Sequence, residues 1–215
     1  MREKLGMTLR AATLLGDNTI SILTEVVVQI QSAGLDIEFD PSQNVGQPDL
    51  LFACGLLTAE MISRGETYQI FAAPLFPGES MPVYRSVMVG RPGVMAVNEF
   101  GSWSGWRAYL EHAGRPEELM VSGSHRQSLD AILEGTADFA AIDSSIWNHE
   151  LAHDIRLKGL DVFAETIDWP APPFSVSTSL DSAVSELLVN ALLGCSSLVP
   201  TDFATYEPML GSSGS

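Results

Sequence analysis

Short apolar runs alternate with helix-like segments along most of the chain. The apolar run from Met7 to Leu15 is bounded by a turn and predicts a strand. The next segment has apolar residues three and four positions apart, which predicts an amphipathic helix closed by Gly34. The residues of that apolar face are Ile20, Leu23, Val27 and Ile30. The rest of the first half predicts strands at 35–39, 49–54, 69–76 and 83–89, and a short helix at 57–63.

The second half repeats the alternation more regularly. It predicts strands at 94–98, 119–121, 139–142, 160–165 and 174–177 and helices at 104–112, 124–133, 145–157 and 182–193. The helix at 124–133 has Leu129, Ile132 and Leu133 on its inward face and is closed by Gly135. The pattern predicts an α/β fold with mixed, mostly parallel sheets and ligands at the carboxyl ends of the strands.

Composition excludes two classes of protein. The 215 residues include 27 acidic and 11 basic side chains, which gives a net charge of −16. Nucleic-acid binding needs a basic surface, and the few cations here are scattered, so no nucleic-acid partner is expected. The apolar runs are far shorter than the roughly 20 residues that cross a bilayer, so the chain is expected not to span a membrane.

Two neighbouring strand–helix junctions carry candidate chemistry. In the first, Ser102 and Ser104 lie at a helix start, where backbone N–H groups have no partner within the helix and favour an anion. In the second, Ser124 is a natural N-cap and His125 follows it in the first turn. Donors from neighbouring junctions of one parallel sheet converge at the same edge. Simple helix capping remains the alternative for each junction.

A third junction, at Asp143, belongs to the same edge. Its carboxylate has three possible roles: it can orient His125, accept a hydrogen bond from a ligand hydroxyl, or cap the helix that follows. The residues leave these roles open.

Several of these segments together resemble one known family. They are Asn98-Glu99-x-x-Ser102-x-Ser104-Gly105-Trp106, Ser122-Gly123-Ser124-His125, Leu133-Glu134-Gly135-x-Ala137-Asp138 and Ala140-Ala141-Ile142-Asp143-Ser144. In this order and spacing, the chain resembles the phosphate, phosphite and phosphonate substrate-binding proteins of ABC transporters. The resemblance extends over about residues 49–193.

The resemblance implies a type 2 periplasmic-binding-protein fold, with two lobes and a ligand held in a central cleft by hinge closure. The first lobe would contain 1–84 and 169–215, and the second 85–168. The residues implied to bind the small anionic ligand are Gly55, Tyr84, Ser102, Trp103 through its backbone N–H, Ser104, His125 and Asp143. The implied partner is an ABC permease, with no cofactor and no catalysis. A ligand sensor is the alternative role if the protein is cytoplasmic.

Two departures from the family pattern limit the range of expected ligands. Trp103 places a bulky ring where a hydroxyl residue is common. Ser145 and Pro172 stand where members that bind aminoalkyl phosphonates have carboxylates for the ammonium group. The resemblance therefore favours a ligand without an ammonium group.

One motif suggests an enzyme instead. His149-Glu150-Leu151-Ala152-His153 matches the HExxH pattern of zinc hydrolases, in which both histidines bind Zn²⁺ and the glutamate is the general base. The sequence offers no third histidine in the expected place, so a solvated helix face is the competing interpretation. A further alternative is an interaction module that keeps the fold without binding a ligand.

The expected cellular location depends on whether a secretory leader has been removed. No secretory leader is visible in the printed sequence. A periplasmic or other extracytoplasmic location is expected if a leader has been removed, and a cytoplasmic one if the sequence is complete.

Overall fold

The computed structural model describes residues 8–40 and 46–211. The strands are β1 (Thr8–Thr13), β2 (Asp36–Asp40), β3 (Leu50–Phe52), β4 (Tyr68–Pro74), β5 (Val83–Tyr84), β6 (Ser86–Gly90), β7 (Met95–Val97), β8 (Leu119–Val121), β9 (Phe139–Asp143), β10 (Val162–Glu165), β11 (Trp169–Pro170), β12 (Phe174–Ser177) and β13 (Leu198–Pro200). The helices are α1 (Ile20–Ser32), α2 (Gly55–Ser63), α3 (Ala108–Ala113), α4 (His125–Glu134), α5 (Ser144–His153), α6 (Ser182–Leu193) and α7 (Phe203–Gly211). Short 3-10 turns at Asp17–Thr19 and Ile155–Gly159 and a π-helical turn at Trp103–Arg107 complete the set.

The chain forms two compact units. The first contains the described residues up to Val83 together with Pro170–Leu210, and the second contains Tyr84–Trp169. The chain therefore passes from one unit to the other at residues 83–84 and 169–170. The short strands at these points, β5 and β11, pair as a two-stranded sheet.

The first unit contains a six-stranded sheet in the order β13-β4-β12-β3-β1-β2. Strand β1 pairs in parallel with β2 and β3, whereas β12 pairs antiparallel with both β3 and β4. Phe52 of β3 stacks on Phe174 of β12 with ring centroids 4.0 Å apart, and neither residue is exposed. The returning chain thus completes the core of this unit.

The second unit contains a five-stranded sheet in the order β10-β6-β9-β7-β8. Strand β7 pairs in parallel with β8 and β9, and β6 pairs antiparallel with β9 and β10. Leu129 of α4 is fully buried against this sheet, with Ile132 and Leu133 partly buried beside it, as the sequence predicted. Gly135 ends α4 in the left-handed conformation, which glycine adopts without a steric penalty.

The sheets are mixed, and antiparallel pairs are more frequent than the sequence suggested. Five of the nine pairings within the two large sheets are antiparallel. Strands β6 and β12 each follow directly after the chain enters a unit, without a helix to reverse its direction, and both pair antiparallel with their neighbours. Strand–helix alternation alone does not reveal this insertion.

The first predicted helix is present, but its buried stripe is shifted from the predicted one and shares only Ile30 with it. Ile22, Val26 and Ile30 are buried, whereas Ile20 is 57% exposed because it is the first residue of α1. The buried residues are four positions apart, which keeps them on one stripe of the helix. The prediction of Ile20 as an inward residue is therefore wrong.

Three other segments differ from the sequence predictions. The predicted strand at 83–89 is interrupted at Arg85, so that its halves, β5 and β6, belong to different sheets. The predicted helix at 145–157 ends at His153 and continues as a 3-10 turn. Strand β13 and helix α7 lie beyond the last predicted helix. No helix in the described ranges is both long and apolar enough to cross a membrane.

Candidate functional site

The two predicted strand–helix junctions of the second unit are directly connected. Strands β7 and β8 are parallel neighbours, and their pairing continues past the strand ends. The Ser122 N–H donates to the Val97 carbonyl at 2.8 Å, and the Gly123 N–H donates to the Asn98 carbonyl at 2.9 Å. These bonds hold the turn before residue 102 against the turn before α4, so both helix starts open at the same edge of the sheet.

The first junction is a tight turn that leads into a π-helical start. The Ser102 hydroxyl oxygen accepts a hydrogen bond from the Gly105 N–H at 3.1 Å, and the Arg107 N–H donates to the Ser102 carbonyl. Ser102 and Ser104 are both buried. The Ser86 hydroxyl donates to the Ser104 carbonyl at 2.7 Å, which fixes the backbone of this turn to strand β6. The turn is therefore held from both sides.

The structure brings Ser104 and His125 together. The Ser104 Oγ lies 3.1 Å from the His125 Nε2, although the residues are 21 positions apart. Ser124 caps α4 by accepting a hydrogen bond from the Gln127 N–H, so His125 lies in the first helical turn, as predicted. A hydroxyl and an imidazole at two adjacent helix starts form a set of donors suited to an oxyanion.

His125 is uncharged at neutral pH. Burial of its ring lowers the pKa of His125 to about 4, and the Ala141 backbone carbonyl opposes this effect only in part. The residue as a whole is partly exposed, but its Nδ1 atom is buried and makes no well-oriented hydrogen bond to another described residue. Such a histidine is a neutral hydrogen-bond donor when an anion arrives. The anion's negative charge then favours the protonated form of the ring.

Asn98 belongs to the same cluster, and the sequence analysis did not single it out as a site residue. It is 7% exposed, and its Oδ1 has no hydrogen-bond partner among the described residues. A Cβ on Gly105 would lie 1.8 Å from the Asn98 Oδ1 and 3.1 Å from the His125 Cε1. Gly105 therefore lies between the Asn98 side chain and the edge of the His125 ring. The sequence signal that could have pointed to Asn98 is its position directly before the Ser102 turn.

Unpartnered polar atoms are concentrated around this turn. Six buried side-chain nitrogen or oxygen atoms of the described residues lack a hydrogen-bond partner, and four of them belong to residues between 98 and 125. The four are Asn98 Oδ1, Trp103 Nε1, Arg107 Nε and His125 Nδ1. Buried polar groups without partners are uncommon in folded proteins and are often found at functional sites.

The Trp103 ring is part of the core of the second unit. Trp103 is 1% exposed, and its ring meets that of Trp169 edge-on with centroids 4.4 Å apart. The side chain therefore has a packing role, and the backbone N–H at the helix start is the group that remains suited to an anion.

Asp143 caps helix α5. Its Oδ1 accepts hydrogen bonds from the backbone N–H and the hydroxyl of Ser145, at 2.8 and 2.6 Å. Burial raises the pKa of this carboxyl, and the hydrogen bonds from Ser145 oppose the rise. Of the three roles that the sequence left open, the structure gives Asp143 the capping role.

The remaining two candidates have different surroundings. Tyr84 is 2% exposed and lies in β5, where the chain enters the second unit. Gly55 belongs to the first unit and begins α2. A Cβ on Gly55 would lie 2.7 Å from the Tyr206 ring and 3.2 Å from the Met209 sulfur. Glycine is therefore needed at this position for packing against α7.

Substitution of Gly55 by alanine tests this packing. We expect the Gly55→Ala variant to lose about 2 kcal/mol of unfolding free energy, because the fully buried Tyr206 cannot move aside. Its hydroxyl also donates to the Ala171 carbonyl at 2.6 Å, which fixes the ring. Urea unfolding measures the difference. Gly159→Ala is the control, because nothing lies within 4 Å of a Cβ there. Equal stability of the two variants would contradict the argument.

The HExxH segment serves the structure of helix α5. Glu150 accepts a hydrogen bond from the Arg126 guanidinium at 2.7 Å, and Arg126 also pairs with Asp130 and Asp154. The Arg156 and Arg126 guanidiniums beside Asp154 hold the pKa of that carboxyl well below its usual range. The centroids of the His149 and His153 rings lie 4.4 Å apart with the rings tilted by 33°, but the described residues contain no group of three potential metal ligands. The interpretation as a zinc hydrolase therefore has no support.

Comparison with known protein families finds a match in the second half of the chain. A sequence model of the family described as "ABC transporter, phosphonate, periplasmic substrate-binding protein" matches residues 106–211. None of the curated proteins matches the sequence significantly.

Solved structures share the fold across nearly the whole chain. A binding protein component of an ABC phosphonate transporter from Pseudomonas aeruginosa has a TM-score of 0.76 at 14% identity, covering 95% of this chain and 85% of that one. A protein from Prochlorococcus marinus in complex with methylphosphonate has a TM-score of 0.78 at 13% identity, covering 95% and 96%. A protein from Xanthomonas citri bound to ATP has a TM-score of 0.67 at 14% identity, covering 96% and 99%. The predicted α/β fold of type 2 periplasmic binding proteins is confirmed.

Proposed function

We propose that the protein captures a small oxyanion at the edge of its second sheet, as a member of the phosphonate-binding family of ABC transporter periplasmic substrate-binding proteins whose model matches residues 106–211. The role is reversible binding, without a bond made or broken. The binding groups are the hydroxyls of Ser102 and Ser104, the His125 ring, and the backbone N–H groups of the turn that begins at Trp103.

The observation that carries the proposal is the short distance between Ser104 and His125. Their side chains meet at 3.1 Å where two helix starts open side by side. An anion at this point receives hydrogen bonds from two helix starts at once, and each start also contributes the positive end of its peptide dipoles. The net charge of −16 does not prevent this, because surface charges beyond about 8 Å are screened at physiological salt.

The proposed ligand is phosphonate- or phosphate-like and carries no ammonium group. Ser145 stands where an ammonium-binding carboxylate would be expected from the family resemblance, and its hydroxyl donates to Asp143. Asp143 is itself occupied as a helix cap. The solved relative from Prochlorococcus marinus holds methylphosphonate, which also lacks an ammonium group.

We also propose a partner and a location in keeping with the family. A protein of this kind would deliver its ligand to an ABC permease, outside the cytoplasm. Residues 83–84 and 169–170, at which the chain passes between its two units, are the proposed hinge segments.

A thermal-shift screen tests the function. We expect phosphate, phosphite or methylphosphonate to raise the unfolding midpoint, since a ligand at 100 times its Kd adds about 2.7 kcal/mol to the unfolding free energy. 2-Aminoethylphosphonate should have a smaller effect than methylphosphonate. The Ser104→Ala/His125→Ala double variant should lose the shift, because it lacks a side-chain donor from each helix start.

The control changes the same two residue types on the surface. Ser32→Ala/His112→Ala alters two exposed side chains and should keep the full shift. An undiminished shift in the Ser104/His125 variant would refute the proposed site. The absence of any shift with all the oxyanions in the wild type would favour a fold kept without a ligand.

A further inference from the structure

We propose that Asn98 is a positioning residue of the anion site, whose side-chain oxygen holds Gly105 and the edge of the His125 ring and so fixes the Ser104–His125 pair. This inference rests on the proposed function and adds to it a residue that makes no contact with the ligand. It starts from the one buried side-chain carbonyl oxygen without a hydrogen bond among the described residues.

The backbone of Asn98 already connects the two junctions. Its carbonyl accepts the hydrogen bond from the Gly123 N–H at 2.9 Å, two residues before His125. The side chain therefore begins at the point where the two turns meet, and it is 7% exposed. A side chain this enclosed cannot change its orientation without displacing its neighbours.

The side-chain oxygen faces both halves of the site. The Cα–H bond of Gly105 that a side chain would replace points at the Asn98 Oδ1, since a Cβ there would lie 1.8 Å from it. The same Cβ would lie 3.1 Å from the His125 Cε1, so the two atoms are no more than about 5 Å apart. Gly105 follows Ser104 directly, and the His125 Cε1 is bonded to the Nε2 that meets the Ser104 hydroxyl. The oxygen thus lies next to the residue that follows Ser104 and near the edge of the His125 ring.

Its energetics separate positioning from simple packing. A buried carbonyl oxygen without an N–H or O–H donor weakens the fold, and the weak contact with the Gly105 Cα–H recovers a part of that cost. An apolar side chain of the same shape would remove the cost and preserve the volume. Replacement of a purely structural residue by such an apolar side chain would therefore leave the ligand affinity unchanged. Replacement of a positioning residue would lower the affinity.

Titration calorimetry and thermal unfolding of Asn98→Leu test the inference, with methylphosphonate and inorganic phosphate as ligands. We expect an unliganded unfolding midpoint equal to or above that of the wild type, together with a loss of affinity of about tenfold. Ser175→Ala is the matched control. It removes another fully buried, unpartnered side-chain oxygen, but in strand β12 of the first unit, and should leave the affinity unchanged.

The Asn98→Asp variant and a ligand-free readout complete the experiment. NMR of the His125 ring should show its Cε1–H resonance displaced in Asn98→Leu, and its titration midpoint raised in Asn98→Asp by the added negative charge. Affinity within twofold of the wild type in Asn98→Leu, or a fall in affinity matched by an equal fall in unliganded stability, would overturn the inference.

The two proposals fail in different ways. If the wild-type protein binds none of the oxyanions, the proposed function fails. The NMR measurement then still decides whether Asn98 controls the His125 ring, because it needs no ligand: an unmoved His125 resonance in both variants refutes the role of Asn98.

Discussion

Replacement of Gly105 by alanine is expected to abolish oxyanion binding and to lower the unfolding free energy by about 3 kcal/mol. The new Cβ would lie 1.8 Å from the Asn98 Oδ1 and 2.6 Å from the Asn98 Cγ, far inside van der Waals contact. Asn98 is 7% exposed and has no free space to enter. The turn that carries Ser104 must therefore move away from His125. Urea unfolding and titration calorimetry with methylphosphonate measure the two effects.

Two further variants isolate the cause of this effect. Gly101→Ala changes a glycine four residues earlier, where nothing lies within 4 Å of a Cβ, and should leave both quantities unchanged. Asn98→Ala in the Gly105→Ala background makes room for the new methyl group and should recover most of the stability without recovering the affinity. Wild-type binding by Gly105→Ala, or additive losses in the double variant, would show that the clash does not govern the site.

The meeting of Ser104 with His125 follows from a feature that the sequence displays. Each lies at a helix start directly after a short apolar strand, and strands β7 and β8 are adjacent and parallel. In such a pair the carboxyl ends lie side by side, whatever the details of the loops. Prediction of this contact requires only the order of the strands and helices along the chain. The pattern of apolar and polar residues is sufficient to give that order.

The role of Asn98 depends on details that the pattern does not contain. Its oxygen meets Gly105 because the helix start at Trp103–Arg107 is π-helical, which places one more residue in the turn than an α-helix would. The residue types in this segment do not predict a π-helical turn. The capping role of Asp143 was equally undecidable, because a carboxylate at a junction satisfies a helix start or a ligand with the same atoms.

Helix α7 shows a different limit of the sequence. Its segment, Phe203–Gly211, has apolar residues at helical spacing, but Pro208 lies inside it and argues against a helix, so the sequence analysis predicted none there. Tyr206 and Met209 are nevertheless fully buried, because Gly55 at the start of α2 leaves room for them. The contact is specified jointly by two segments far apart in the chain. Neither segment has a sequence pattern that predicts the contact alone.

Acid is expected to weaken the folded protein in part through His125. Burial holds the pKa of His125 at about 4 in the folded chain, against 6.5 for an ordinary histidine. In the unfolded chain the ring takes up a proton as the pH falls through 6.5, whereas the folded chain resists protonation until about pH 4. The stability that comes from the neutral ring is therefore complete above pH 6.5 and is lost progressively down to pH 4, by about 3 kcal/mol in total.

The measurement is a difference between variants, because carboxyl groups also titrate in this range. The unfolding free energy of the wild type minus that of His125→Gln should fall by about 3 kcal/mol between pH 7 and pH 4, since glutamine does not titrate and the carboxyl contributions cancel. His112→Gln is the control, because it makes the same change at an exposed residue. A difference for His125→Gln that stays constant with pH would mean that the folded chain accepts the proton as readily as water does. The ring would then lie in a solvated position, and the enclosed contact of His125 with Ser104 and Gly105, on which both the oxyanion site and the role of Asn98 depend, would be wrong.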